Sequence, residues 1–156
     1  AFALLREAQQ KGEIAAWVTS SKSSFFPPDA AASGIDLDAL IVIRVAGAAE
    51  ILRAADKLIR SGAVGLAALD LASENAAAPP PSPVWARLAG LARKHCAAVI
   101  ILPAGGAKEG LGPLVSLCGE ARRLGDGRLE LRALKDKRGA REMRRVEPCR
   151  GPAGLR

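Results

Sequence analysis

The strongest constraint on what this chain can fold into is the order in which its apolar runs and helical periods alternate. Four short apolar runs, EIAAWVTS, LIVIRV, VGLAALDL and CAAVIILP, are separated by stretches with the spacing of helices. Runs of this length, rich in Val and Ile, match strands buried on both faces, the first around Ile14 to Thr19 and the third ending on Asp70. LIVIRV is the clearest of them and is expected to be buried. The intervening GAAEILRAADKLIRSG carries Ile51, Leu52, Ala55, Leu58 and Ile59 at helical spacing and stops at Gly62. AFALLREAQQKG and VWARLAGLARKH have a similar apolar face. SKSSFFPPDAAASG reads as loop plus a short helical turn, because Pro27 and Pro28 lack backbone donors. Neighbouring parallel strands require crossovers, so the alternation predicts an α/β fold with a mostly parallel sheet flanked by helices.

From GPLVSLCGEARRL onward the pattern changes. RLELRALK alternates strictly, DKRG is turn chemistry and AREMRRVE alternates again, which predicts a C-terminal antiparallel edge hairpin. PCRGPAGLR offers nothing to pack. The expected organisation is one domain over 1–147 and a flexible tail over 148–156.

A chain of 156 residues buries roughly two thirds of its unfolded surface. Its 49% hydrophobic and 25% charged residues are globular in proportion, and with 3% aromatics the core must be filled by Ala, Leu and Val. No apolar run approaches the roughly 18 residues of a membrane span, and the start lacks a signal peptide, so a cytoplasmic protein without membrane partners is expected. Cys96, Cys118 and Cys149 lie far apart beside a single histidine, which argues for reduced thiols and against a metal site. His95 next to Cys96 lacks an orienting acid and reads as helix-end electrostatics. The formal charge is +7 and favours a polyanionic partner; residues 120–156 hold twelve Lys and Arg against six Asp and Glu.

In open parallel sheets ligands bind beyond the carboxyl ends of the strands. That edge here carries TSSKSS, then Asp70 with LASEN, then PAGGAKEG. The run GIDLDALIVIRVAGAAEILRAADKLIRSGAVGLAALDL, with AQQKGEIAAWVTS before it and VWARLAGLARKHCAAVIILPAGG after it, resembles the RecA-like family over roughly residues 1–147. Within that family it is most similar to the ImuA group, RecA-like accessory proteins of bacterial damage-induced mutagenesis that are also labelled SulA-like.

The resemblance implies a RecA-like core and a role in the SOS response, in DNA repair and error-prone translesion synthesis. It implies single-stranded DNA, RecA and polymerase components of the mutasome as partners. It places Asp70 where the family has its Walker B aspartate, which helps to hold Mg²⁺ beside ATP phosphates. The family's phosphate loop, G-x-x-x-x-G-K-[ST], is absent, so the chain either begins just after it or lacks it. Where RecA has a catalytic glutamate this chain has TSSKSS with Lys22, and where RecA has a polar pair after the fourth strand it has Pro103 and Ala104. The expectation is a non-enzymatic chain without cofactor; ATP and Mg²⁺, with weak hydrolysis, enter only with an upstream phosphate loop. Two loops match the family's DNA-binding loops, but the first has no basic residue and the second only Lys108. Lys135, Lys137 and Arg138 in the hairpin turn, with Arg141, Arg144 and Arg145 in the following strand, are the better candidates for phosphate contact. The alternative for these cations is a solvated edge that blocks aggregation. The label SulA-like implies a further alternative, a protein-binding regulator of cell division.

Overall fold

Every residue of β1 (Ala15–Ser20) is buried, as a strand of small and apolar side chains with helices over both faces requires. It pairs in parallel with β2 (Leu40–Val45) on one side and β3 (Leu66–Asp70) on the other, and β3 pairs in parallel with β4 (Ala98–Leu102). The order β2-β1-β3-β4 places the two fully buried strands in the middle. The computed structural model describes residues 1–23, 25–74, 82–103, 112–125, 127–137, 139 and 143–148. It divides the chain into two compact units, Ala1–Gly110 and Leu111–Arg156.

Register assigns the faces of the first unit's sheet. Ala15 and Trp17 share a face with Leu66 and Ala68, and these pack with Leu5 of α1 (Phe2–Gln10), with Phe25, with Ala30 of α2 (Pro27–Ala32) and with Ile35. Phe2, Trp17 and Phe25 form an aromatic cluster there, with ring centroids 5.0 to 6.2 Å apart. The opposite face, with Ala16, Val18, Ala67 and Leu69, is left for α3 (Ala48–Arg60), which packs on β1, β2 and β3. Of the five residues the helical spacing marks, Ile51, Leu52, Ala55 and Ile59 are buried and Leu58 is half-buried. α4 (Ser82–Lys94) packs beside α3 and on β4, burying Trp85 and Leu88.

Two expectations need correction. LIVIRV is not a buried interior strand: it forms an edge of the sheet, where Ile41 and Val42 are 39% and 40% exposed. The C-terminal segment is not an edge hairpin. It forms a separate three-stranded antiparallel sheet of β5 (Leu117–Arg123), β6 (Arg128–Asp136) and β7 (Arg144–Pro148), with β6 in the centre. LCGEARR conceals its strand because the register shifts between Cys118 and Gly119, which interrupts the alternation that marks β6 and β7. Lys135 accordingly lies within β6 rather than in a turn. Residues 149–156, most of the expected tail, lie outside the described residues.

Candidate functional site

The carboxyl edge of β1 and β3 gathers the buried polar side chains of the first unit: Thr19, Ser20 and Asp70, all at least nine-tenths buried. Thr19 and Asp70 are register partners on the same face. The Thr19 hydroxyl donates to Asp70 Oδ2 at 3.1 Å, and Ser23 Oγ, just beyond β1, donates to the same oxygen at 2.5 Å. The Ala72 amide donates to Asp70 Oδ1 at 3.2 Å, and Ser23 Oγ accepts from the Phe25 amide at 3.0 Å. TSSKSS and Asp70 therefore meet as sequence order implies, and their hydroxyls tie the carboxylate to the loop that follows β1.

Glu74, four residues beyond Asp70, is a site residue that sequence reasoning missed. Its Oε2 accepts from the Ala48 amide at 3.2 Å, so a carboxylate sits at the positive end of α3. Its Oε1 is buried without a partner among the described residues. Nothing local marks this contact; the only signal is an acid within LASEN.

The buried Asp70 carboxylate accepts three hydrogen bonds and Lys22 is exposed; no cluster of three His, Cys, Asp or Glu suited to a metal occurs among the described residues. Lys108 and most of PAGGAKEG lie outside the described residues.

The candidate phosphate-binding cations sit in the second unit. Arg144 pairs with Glu130 of β6, and Arg145 with Glu147 of its own strand at 2.6 Å. The Lys137 ammonium donates to the Pro113 carbonyl. Lys135 also has a bonding partner, and Arg138 and Arg141 lie outside the described residues. Cross-strand register sets Glu120, Arg132 and Arg144 in one row and Arg122, Glu130 and Val146 in the next, so one face is a mosaic of both signs rather than a uniform basic stripe.

Other residues settle into structural places. Trp17 and Trp85 are buried. Asp36 exchanges two hydrogen bonds with the Gln9 side chain, at 2.8 and 3.0 Å, through its backbone. Cys96 is exposed and follows the end of α4 with φ 53°. Among the described residues no helix is long and apolar enough to cross a membrane.

No family model matches the chain, and no curated protein matches it. Among solved structures it is similar to SulA from Pseudomonas aeruginosa, at 13% identity and a TM-score of 0.53, over 67% of this chain and 83% of that one. At that identity the likeness is one of fold alone, and a SulA-like fold is what it supports.

Proposed function

We propose that this chain is a RecA-like accessory protein of the ImuA kind, which acts in SOS-induced DNA repair and error-prone translesion synthesis by binding rather than by hydrolysis. Single-stranded DNA, RecA and mutasome polymerase components are its partners in this reading. The observation that supports it is Asp70: the carboxylate that the resemblance sets in the Walker B position accepts hydrogen bonds from Thr19, Ser23 and the Ala72 amide, a network that braces a sheet edge. The basic second unit supplies the cations for phosphate contact.

Fluorescence anisotropy of a labelled single-stranded oligonucleotide, titrated at several salt concentrations, tests the DNA-directed part. Binding that weakens steeply with salt, and that is lost when Lys135, Lys137 and Arg138 are replaced by alanine, is the expected result. Failure to associate with DNA, RecA and error-prone polymerase components alike overturns the reading. A second reading, a protein-binding regulator of cell division, is favoured by the SulA-like fold. It predicts that expressing the chain in undamaged cells produces filaments, with no DNA affinity at physiological salt.

A further inference from the structure

The α3–α4 face carries a groove unrelated to the Asp70 edge. It encloses about 850 Å³, with Leu52, Val84 and Leu88 in its floor and Arg53, Lys57, Arg60 and Arg87 around it. Among the described residues the one acid that lines it, Asp56, is shared by two cations. Arg60 pairs with it from one turn away, and Arg87 donates to its two oxygens from α4 at 2.5 and 3.3 Å. Arg53 pairs with Glu50, and Lys57 is exposed with no ion pair among the described residues. Four cations thus stand against two carboxylates around an apolar floor.

The geometry points to this groove as the seat of an acidic amphipathic helix supplied by a partner protein, an inference that extends the binding reading above to a second surface. Three observations select that occupant. The floor between α3 and α4 is aliphatic, which suits a third helix laid on it by its apolar stripe. Lining residues run from Ala48 to Ser61, about 20 Å along α3, enough for three to four turns of a docked helix. The surplus cations stand beside the apolar floor, where acids flanking the stripe of such a helix meet them. Nucleic acid fits less well, because among the described residues no aromatic side chain lines the groove for base stacking. The chain's own last eight residues are a mismatch, since CRGPAGLR carries two arginines and no acid.

The test uses the full chain and a fluorescein-labelled helical peptide of about five turns, with Leu at i, i+3, i+4 and i+7 and Glu on both flanks. A control peptide carries Lys at each Glu position. The acidic peptide binds, the control binds at least about tenfold more weakly, and Arg53→Glu with Lys57→Glu weakens the acidic peptide by about tenfold or more. Both substitutions fall on exposed side chains, and because Arg53→Glu gives up the pair with Glu50, a modestly lower melting temperature with a retained cooperative transition accompanies the loss. Amide shifts on peptide addition concentrate in residues 48–61 and 84–88. Equal affinity for the two peptides, no binding of the acidic one, or shifts located elsewhere overturns the inference. The same double variant keeps its affinity for a single-stranded oligonucleotide. Peptide binding without oligonucleotide binding therefore counts against the DNA-directed reading alone, and the reverse counts against this groove alone.

Discussion

Thr19 and Asp70 lie opposite each other on the two central strands, both buried, and the threonine hydroxyl donates to the aspartate carboxylate at 3.1 Å. The pairing depends on parallel register. Because Ala15 pairs with Leu66, every odd-numbered residue of β1 faces an even-numbered one of β3, and the last such pair is polar on both sides. Ser23 then closes the turn beyond β1 onto the same carboxylate oxygen. The aspartate is a knot between two strands and one loop.

Asp70→Ala removes the acceptor and strands the Thr19 hydroxyl without a partner, a loss of about 1–3 kcal/mol in urea unfolding. Asp70→Asn keeps an acceptor oxygen and loses less. If the carboxylate instead held Mg²⁺ for hydrolysis, the asparagine variant would abolish turnover while remaining folded. Equal nucleotide turnover in wild type and Asp70→Asn is the expected outcome.

Asp56 gives a pH-dependent test. The hydrogen bond from Arg87, more than any other influence, holds its carboxyl below the usual range, with the charges of Arg60 and Arg87 acting in the same direction and partial burial against it. A depressed folded value means that this stabilisation is present above the unfolded carboxylate pKa, about 3.9, and is lost as pH falls through the folded value. Asp56→Asn therefore melts below wild type at neutral pH, and the gap closes in acid. A gap of constant size from neutral to acid would show that the ion pairs do not supply it.

Local sequence spells some of this architecture and conceals the rest. Ile51, Leu52, Ala55 and Ile59 announce α3 because helical burial is set by neighbours three and four residues away. LIVIRV announces a strand, but its edge position follows from crossovers among four strands, which no local window contains. Gly119 and the register shift beside it mask β5. The strand end at Asp70 is legible at the close of its apolar run, whereas Glu74 reaching Ala48 spans 26 residues and Arg144 reaching Glu130 spans 14, so both appear only once the chain has folded. Basic residues can be counted in a sequence; their neutralisation by cross-strand acids cannot.

Gly62 is fixed by geometry as well as by sequence. It follows the α3 C-cap with φ +72°, and a Cβ there would stand 3.1 Å from His95 Nδ1. Gly62→Ala is expected to destabilise the fold by about 1 kcal/mol or more, since alanine is strained in the left-handed region and must also displace the imidazole. Urea denaturation measures this directly, and a neutral result would mean that the turn adopts another conformation in solution.

Glu130 governs how much of the positive charge of β7 is free to meet phosphate. Register places Arg144 opposite Arg132, a like-charge pair that Glu130 relieves by bonding Arg144 from the neighbouring row. Replacing Glu130 by Gln removes that relief and lowers the melting temperature of the chain. The same change releases the Arg144 guanidinium, so affinity for a single-stranded oligonucleotide rises and the slope of log K against log salt steepens by about one unit per added phosphate contact. Both shifts come from one carboxylate and have opposite signs, which separates them from general misfolding, where stability and binding fall together. A lower melting temperature with an unchanged salt slope would place the phosphate contacts away from β7 and leave the Glu130–Arg144 pair a brace within the sheet.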